Sequence, residues 1–457
     1  MATPISASTP APSHAPVAGG VREVTLLAYP IVLTQMSQTL MQVVDSIFVG
    51  QLGAAQLGAL GFSGIWLWTV MSVFSGTANG VQTFVSQAQG AGDERSAGGW
   101  AWQGLYAVVP ALTLSVFAFV AVADWLWSLA GASPEIREHA MAYASMRPYG
   151  MVGLGVWMVL SAFLRGIGNT RTPLIATIVA NAVNALLAWG LIFGHFGLPK
   201  YGVAGAGIAA SIAEWVGAAM LAGAMALPAV KHRFGTRFAP PDLHAILRFL
   251  RTGLPIGGQW LLDMSAFALF TTLVARMGNA SMAATQAMIS LLSMSFMQAI
   301  GIGLAATTLV GRYKGAGDID SAVRSYRSAR KLGVGLATGI AVLFLAAPEA
   351  LLALYTSDAE VLRLGRPLLA LGAAFQLFDA VQIVANGALR GAGDTRWSFL
   401  VQTSIAWFVR LPLAWLFAVT WGGGVVGAWY AEFVFILVLT AALVWRFRSG
   451  VWMQVRI

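Results

Sequence analysis

Long stretches without a single Asp, Glu, Lys or Arg are the feature that most limits what this chain can fold into. No such residue lies between Asp45 and Asp93 or between Arg276 and Arg312. Each stretch is long enough to cross a bilayer, because a membrane helix needs about 20 mostly apolar residues. Charged residues make up only 10% of the chain, well below the roughly 25% that is usual in soluble domains. The sequence therefore predicts an all-α polytopic membrane protein.

Apolar segments bounded by charge, Gly and Pro predict twelve transmembrane helices. They are expected at residues 25–48, 57–85, 99–130, 138–164, 172–194, 202–228, 251–275, 282–310, 332–355, 365–389, 397–420 and 425–446. Lys and Arg are concentrated in alternate connections, as the positive-inside rule requires of cytoplasmic loops. Both termini are therefore expected in the cytoplasm.

The net charge of +9 raises the question of a nucleic-acid partner. That function would need Lys and Arg gathered on one soluble face, whereas here they lie in short connections between apolar segments. Attraction to anionic lipid explains the charge, so the bilayer is the expected partner and nucleic acid is not. The absence of cysteine excludes disulfides, thiolate metal sites and cysteine nucleophiles.

The two halves of the chain match one another at a constant offset. The most specific match pairs FLRGIGNTR at 163–171 with ALRGAGDTR at 388–396. The other matches pair Pro30 with Pro255, GAGD at 90–93 with GAGD at 315–318, and SPEI at 133–136 with DAEV at 358–361. Since six helices is an even number, both halves enter the membrane in the same direction. The predicted fold is two six-helix bundles related by a pseudo-two-fold axis along the membrane normal.

This repeat divides the chain into five predicted parts. A disordered cytoplasmic tail, an N-terminal six-helix bundle, a cytoplasmic linker, a C-terminal six-helix bundle and a second cytoplasmic tail are expected at 1–22, 23–228, 229–248, 249–448 and 449–457. The linker is basic and contains proline. We expect it to lie at the lipid headgroups and assign it no chemistry.

A polar stripe on the tenth predicted helix is the strongest candidate for a functional site. Its members recur at spacings of three, three and four residues: Gln376, Asp379, Gln382 and Asn386. Such a stripe cannot face lipid without leaving polar groups unpaired, so it must face a cavity or another helix. Amides alone would suit interhelical hydrogen bonding. The carboxylate favours a functional role, because an ionisable group at membrane depth is costly.

Asp263 on the seventh predicted helix is expected to converge with Asp379. It follows Gln259 by one helical turn, and the two helices belong to the same bundle. Two carboxylates with amide oxygens suit a proton or Na⁺. Asp379 and Asp263 are therefore predicted to bind the coupling ion, as metal ligands if that ion is Na⁺, with Gln259 lining the same cavity.

The first predicted helix carries a second polar stripe that ends in a carboxylate. Its members are Gln35, Gln38, Gln42 and Asp45. The amides are expected to line a cavity, and Asp45 is a further candidate for ion coupling. Because Asp45 lies near the end of the helix, snorkelling to the interface is an equally good interpretation.

Two further acids lie deep in predicted helices, and we interpret them as structural. Glu214 and Glu432 are expected to pair with basic neighbours such as Arg147 or Arg410, since intramembrane ions commonly pair. No Walker A, HExxH or GxSxG pattern occurs, which leaves no recognisable nucleotide-driven pump or enzyme. No cofactor is expected beyond a coupling ion.

The chain resembles the multidrug and toxic compound extrusion (MATE) transporters, in particular the NorM-like bacterial branch. The resemblance rests on LTQMSQTLMQVVDSIFVGQLG at 33–53, on the segment 283–318 and, most specifically, on FDAVQIVANGALRGAGDTR at 378–396. It implies a V-shaped secondary transporter of a bacterial plasma (inner) membrane. Such a protein exports cationic amphiphilic molecules in exchange for Na⁺ or H⁺, and we expect it to be a monomer.

The resemblance also implies roles for individual residues. Asp379 is similar to the cation-site carboxylate of the tenth helix, and Asp45 to an aspartate of the first helix that is widespread in the family. Asp263 stands where these relatives usually have glutamate. Gln286 and Asn184 are similar to polar positions of the family and are ranked as helper residues that line the cavity.

Three other functions remain open at this point. A flippase for lipid-linked oligosaccharide belongs to the same superfamily and would need basic residues in the cavity to bind pyrophosphate. Arg147 and Arg410 are the only basic residues deep in predicted helices, so both would have to face the central cavity. An ion channel predicts current without countertransport, and a membrane enzyme lacks a catalytic motif.

Overall fold

The computed structural model of the protein describes residues 17–129, 131–355 and 358–457, and helices account for nearly all of them. Most of the predicted tail at 1–22 lies outside the described residues. The helices of the first half are α1 (Val21–Gly50), α2 (Ala54–Gly90), α3 (Ala97–Leu129), α4 (Pro134–Ala144), α5 (Pro148–Gly166), α6 (Arg171–Phe193), α7 (Val203–Ala226) and the short α8 (Pro228–Phe234). Those of the second half are α9 (Leu243–Ala275), α10 (Asn279–Gly315), α11 (Ile319–Ala346), α12 (Pro348–Ala353), α13 (Ala359–Gly391), α14 (Thr395–Ile405), α15 (Leu411–Trp415) and α16 (Gly424–Arg448).

Eleven helices in the described part of the chain are long and apolar enough to cross a membrane, counting the continuous helix Thr395–Thr420 as one. The remaining long helix, α1, has 30 residues, which is sufficient length. It falls short in hydropathy because the predicted Gln stripe and several Ser and Thr residues interrupt its apolar face. The all-α polytopic fold predicted from the sequence is confirmed.

The internal repeat reappears as matched helix boundaries. Helices α2 and α10 both have 37 residues, and they begin at the same offset that separates the two sequence repeats. The fourth predicted helix, 138–164, departs from this symmetry, because it is broken into α4 and α5 at the turn before Pro148. Its counterpart α13 runs unbroken from Ala359 to Gly391.

Two predicted helices begin earlier than expected, and in both cases an aspartate caps the new start. Helix α9 begins at Leu243 rather than 251, where Asp242 Oδ1 accepts a hydrogen bond of 2.8 Å from the backbone of His244. Helix α11 begins at Ile319 rather than 332, where Asp318 accepts one from Ser321 N. These first turns are amphipathic and charged, so apolar content did not reveal them.

The two bundles contact each other at one end of the molecule. We call this the closed end and define it by residues 76–90 of α2 and 301–315 of α10. Gln82 Nε2 of α2 donates to the carbonyl oxygen of Leu304 at 2.7 Å and to Thr308 Oγ1 at 2.9 Å. At the other end of α2, a Cβ placed on the glycines of its first three turns would meet nothing within 4 Å. The bundles are therefore joined at the closed end, whereas the first turns of α2 have no close neighbour beside these glycines.

Glycine pairs permit this close approach. A Cβ added at Gly76 of α2 would lie only 2.6 Å from Gly257 Cα of α9, and one at Gly80 would lie 3.0 Å from Gly253 Cα. Any side chain at these positions would push the two helices apart. The small residues therefore fix how tightly α2 of the first bundle packs against α9 of the second.

The segment that precedes each bundle crosses onto the other bundle. The segment 17–20 lies on α11, where Ser328 Oγ donates a hydrogen bond of 2.8 Å to its backbone. The segment 236–242, within the predicted linker, lies along α3, where Gln103 donates to one backbone carbonyl and accepts from one backbone N–H at 3.0 and 2.9 Å. Each of these two segments therefore binds to the bundle that it does not belong to.

The predicted second tail, 449–457, is also folded onto the closed end. Trp452 is fully buried, and Lys314 Nζ donates hydrogen bonds to the carbonyls of Ala392, Trp452 and Val455. Arg248 Nη2 donates to the carbonyl of Ile457 at 2.8 Å. A lysine at the end of α10 therefore holds the last described residues of the chain against the second bundle.

Candidate functional site

The polar stripe of α13 faces the interior of the second bundle, as the sequence predicted. All four members are buried: Gln376, Asp379, Gln382 and Asn386. Asp379 Oδ1 accepts one hydrogen bond of 3.0 Å, from Gln382 Nε2 on the next turn of the same helix. A buried carboxylate with a single neutral partner at this depth retains the capacity to bind a cation.

Several amide atoms around Asp379 are buried without a hydrogen-bond partner. They are Gln376 Oε1 and Nε2, Gln382 Oε1 and Asn386 Oδ1. Buried polar atoms are normally satisfied, so orphaned atoms in one place call for a water or a ligand. Three of the four are oxygens, the ligand type that Na⁺ and other hard cations prefer. The residues present therefore fit a hydrated or bare monovalent cation.

Asp263 lies on α9 and is half-buried. It is close enough to Asp379 for the two carboxylates to interact electrostatically. Its Oδ1 is also 3.3 Å from Nη1 of Arg410. The structure thus places the two predicted ion-coupling carboxylates in one cluster and adds an arginine to it.

Arg410 lies between two acids from different helices. Besides Asp263 on α9, it contacts Glu432 on α16, whose Oε1 is 3.1 Å from Arg410 Nε. The guanidinium also stacks on Phe435, with 3.8 Å between its carbon and the ring centroid. The predicted pairing of Glu432 with Arg410 is found, but the participation of Asp263 in the same cluster was not anticipated.

A network nearer the closed end connects Gln259 to Asn386, the last member of the polar stripe. Arg390 Nη2 donates to Gln259 Oε1 at 2.9 Å, and Asn386 Nδ2 donates to Gln402 Oε1 at 3.1 Å. Gln259 Nε2 in turn donates to Gln402 Oε1. These contacts join α9, α13 and α14 within one bundle. Gln259 therefore connects helices rather than standing free in the cavity. The sequence pointed to Arg390 only through the RGAGDTR motif and not as a member of this network.

The first bundle contains the other predicted carboxylate. Asp45 Oδ1 of α1 accepts a hydrogen bond of 3.0 Å from Asn184 Nδ2 of α6, so the side chain turns to a neighbouring helix. One helical turn earlier on α6, Asn181 Nδ2 donates a hydrogen bond of 2.8 Å to Ser37 Oγ of α1. Asp45 and Asn184, predicted separately, therefore form one site between α1 and α6.

The remaining predicted cavity residues are less buried. Gln35 is half-buried, whereas Gln38 and Gln42 are exposed along α1. Gln286 is exposed on the first half of α10, away from the closed end. That Gln35, Gln38, Gln42 and Gln286 line a cavity stays a prediction.

Arg147 and Glu214 repeat the buried ion pair in the first bundle. Arg147 Nη2 is 2.5 Å from Glu214 Oε1, and both side chains are largely buried. The pair links the break between α4 and α5 to α7. The prediction that Glu214 pairs with an arginine is found. Both deep arginines therefore face acids of their own bundle.

Among the described residues, no group of three or more His, Cys, Asp or Glu is arranged to hold a metal ion. This finding is compatible with a monovalent cation bound by one or two carboxylates and amide oxygens.

Comparisons with known proteins agree with this architecture. The model of the MatE family matches residues 30–190 and, a second time, residues 255–416. Both matches begin at the paired prolines of the internal repeat. The chain belongs to the MatE family. The resemblance noted from the sequence is confirmed, and the two bundles correspond to two copies of the family unit.

Individual relatives cover nearly the whole chain. The "Probable multidrug resistance protein NorM" of Rhizobium meliloti (strain 1021) is 34% identical over 433 residues, which span 92% of this chain and 91% of the relative. The "Multidrug resistance protein NorM" of Burkholderia vietnamiensis is 30% identical and covers 92% of each chain. The match of this MatE protein to NorM relatives is therefore global.

Solved structures show the same fold. The eukaryotic MATE transporter AtDTX14 superposes with a TM-score of 0.86 at 20% identity, covering 95% of this chain and 96% of that chain. A MATE structure in the bent conformation gives 0.86 at 19%, covering 96% and 99%. At these identities the match establishes the two-lobed transporter fold of this multi-pass membrane protein and nothing finer.

Proposed function

We propose that this MatE protein exports organic cations across a bacterial inner membrane in exchange for Na⁺ or H⁺. The observation that carries the proposal is the buried Asp379, which lies among orphaned amide oxygens and within electrostatic range of Asp263. Ionisable groups at membrane depth are costly and commonly mark ion or substrate pathways. The names of the NorM relatives support multidrug efflux.

Charge competition supplies the mechanism. A coupling ion that reaches Asp379 and Asp263 neutralises the carboxylates, which lowers the affinity of the site for a cationic substrate, and the substrate leaves. The cycle needs two states that open on opposite sides. The bundles contact each other at the closed end, so the described state is accessible from the opposite side.

The positive-inside rule supports the orientation. The closed end carries Arg312 and Lys314 at the end of α10, with other basic residues in the adjoining connections, so we assign it to the cytoplasm. Both chain ends then lie in the cytoplasm, and the site faces outward. We propose in addition that the chain is divided into the five parts given above and that the protein is a monomer.

Asp45 and Asn184 form a second site that we assign to coupling in a supporting role. One carboxylate and one amide provide fewer oxygens than the cluster in the second bundle, so we place the principal ion there. Gln35, Gln38, Gln42 and Gln286 would then contact the substrate where the bundles separate, because amides can accommodate varied cations without fixed geometry.

The lipid-linked oligosaccharide flippase is not supported as a second candidate. That function needs unpaired basic residues in the central cavity. Arg147 and Arg410 are each within 3.3 Å of a buried or half-buried acid, so their charges are already neutralised. An anionic pyrophosphate would also meet the carboxylates Asp379 and Asp263.

The test is efflux of a fluorescent organic cation from proteoliposomes, driven in turn by a Na⁺ gradient and by a pH gradient. Replacing Asp379 by Asn should abolish efflux under the gradient that drives the wild type, because the neutral amide cannot exchange cations by charge. Asp124→Asn is the matched control, since the Asp124 side chain is exposed and forms an ion pair with Arg137. Wild-type efflux by Asp379→Asn would refute the assignment, and no efflux by the wild type under either gradient would refute the function.

A further inference from the structure

Arg410 is a buried cation that two acids share. Its side chain is 6% exposed, and it approaches Asp263 through Nη1 at 3.3 Å and Glu432 through Nε at 3.1 Å. The third acid of the second bundle, Asp379, also lies within electrostatic range of Arg410 and Glu432. The single charge of Arg410 therefore interacts electrostatically with three carboxylates.

The contacts of Arg410 are ion pairs without well-directed hydrogen bonds. Its Nε and Nη1 atoms, Asp263 Oδ1 and Glu432 Oε1 are all buried and lack a hydrogen-bond partner of proper geometry. A structural arginine of this kind usually forms a bidentate pair with one carboxylate. Here the guanidinium is held by stacking on Phe435, and neither acid fixes it. Such an arrangement allows it to favour one acid or the other at small cost.

The helix that carries Arg410 is irregular at this point. The π-helical segment Ala406–Arg410 ends at Arg410, and a second one, Leu416–Thr420, follows α15. Pro412 lies between them and cannot donate a backbone hydrogen bond, which disturbs the regular helix. Insertions of this type often occur at functional sites. The corresponding helix of the first bundle, α6, is an uninterrupted α-helix.

We propose that Arg410 is a tethered cation that competes with mobile cations for Asp263. Without a mobile cation in the site, Arg410 neutralises Asp263. When a coupling ion or a cationic substrate binds at Asp263 and Asp379, Arg410 pairs with Glu432 alone. This inference rests on the proposed cation exchange and makes Arg410 a positioning residue that acts through Asp263.

The role follows from what an exporter must do. A site with three carboxylates and no fixed cation would bind any cation tightly and release it slowly. A tethered competitor lowers that affinity and speeds release, because the carboxylate that loses its mobile ion is neutralised at once. Glu432 is then the resting partner that keeps Arg410 stable while Asp263 is occupied.

The test compares two variants that should shift binding in opposite directions. Glu432→Gln removes the resting partner, holds Arg410 on Asp263 and should weaken binding of tetraphenylphosphonium about tenfold. The double variant Arg410→Gln/Glu432→Gln keeps the same net charge as the wild type but removes the competitor, and it should bind about tenfold more tightly. Each tenfold factor corresponds to about 1.4 kcal/mol, which is less than the Coulomb interaction of one ion pair about 4 Å apart at an effective dielectric constant of about 20. The readout is the Kd of radiolabelled tetraphenylphosphonium for purified protein, measured by equilibrium dialysis without a gradient.

A matched pair in the same bundle serves as the control. Arg446 Nε donates to Asp394 Oδ2 at 2.7 Å near the closed end, so Arg446→Gln/Asp394→Asn removes a similar pair away from the carboxylate cluster. Its Kd should equal that of the wild type. If the double variant does not fold, Arg410→Lys takes its place. This variant keeps the charge but weakens the competitor, so its Kd should be lower than that of the wild type.

The outcomes separate this inference from the proposed function. If the wild type binds tetraphenylphosphonium but both variants weaken its binding, Arg410 has a structural role and the inference is wrong. An unchanged Kd in the double variant overturns it as well, as does an equal shift in the control pair. If the wild type binds no organic cation, the proposed function fails, and the inference fails with it.

Discussion

Opening of the closed end should depend on hydrogen bonds that join the two bundles. Thr83 Oγ1 of α2 donates to the carbonyl of Arg390 at 3.0 Å, and Gln87 Nε2 donates to the carbonyl of Gly391 at 2.8 Å. Both donors belong to the first bundle and both acceptors to the second. The double variant Thr83→Val/Gln87→Met keeps the side-chain volumes similar and removes both bonds.

The expected size of the effect follows from the number of bonds. An intramolecular hydrogen bond contributes about 1 kcal/mol net, so two contribute about 2 kcal/mol. If both bonds exist only while the end is closed, their loss shifts the equilibrium toward the open state about 30-fold. The carbonyls of Arg390 and Gly391 become accessible to water in the open state, so no compensating cost is expected there.

Thiol labelling measures this shift directly because the chain has no cysteine. Ser86 is fully buried at the closed end, and Ser86→Cys should react with a polar maleimide only when the bundles separate there. In inside-out vesicles, its labelling rate should rise about 30-fold in Thr83→Val/Gln87→Met relative to Ser86→Cys alone, since slow labelling reports the equilibrium open population. Ser449→Cys, which is exposed, gives the rate for an unprotected thiol. A rise of less than about threefold would refute the view that these bonds hold the end closed.

Two further predictions concern packing and charge. Glu214→Leu should destabilise the protein by about 3–5 kcal/mol because it leaves the Arg147 charge buried and unpaired. The double variant Arg147→Met/Glu214→Leu should recover most of the thermal stability, measured in detergent. A double variant no more stable than the single one would contradict this reasoning. Gly257→Ala should open the closed end, because the added methyl would collide with the backbone of Val73 on α2. The labelling rate of Ser86→Cys should then rise in the Gly257→Ala background. An unchanged rate would show that the glycine contact does not hold the bundles together.

The sequence predicted the features that repeat along one helix. The stripe from Gln376 to Asn386 could be recognised because its spacing places four polar residues on one face, and an apolar environment leaves such a face only one direction to point. The apolar helix interiors and the internal repeat were recognisable for the same reason. The amphipathic starts of α9 and α11 were not, because charged residues there resemble a connection.

Features that depend on contacts between helices could not be predicted in detail. The sequence offered Arg410 as one possible partner of Glu432, but three helices must pack before Arg410 also reaches Asp263. The role of Gln402 depends on the same packing. Likewise, nothing in the composition of segment 236–242 indicated that it would lie along α3, since its contacts there are mainly to backbone groups.

The duplicated scaffold carries chemistry that is not duplicated. The positions of the first bundle that match Gln376, Asp379 and Gln382 are Met151, Leu154 and Trp157. Conversely, the position that matches Asp45 in the second bundle is Phe270, which is fully buried. Each bundle therefore has its own carboxylates on different helices of a shared frame.

This asymmetry bears on how two opposing bundles can respond to one ion. The carboxylate cluster with Arg410 belongs to the second bundle alone, so an ion that binds the proposed principal site changes the charge of that bundle and not of the other. A ligand shifts a two-state equilibrium only through its different affinity for the two states. Under the proposed exchange, an ion that binds between α9, α13 and α16 more tightly in one state than in the other would therefore shift the equilibrium between the closed and open forms of the closed end.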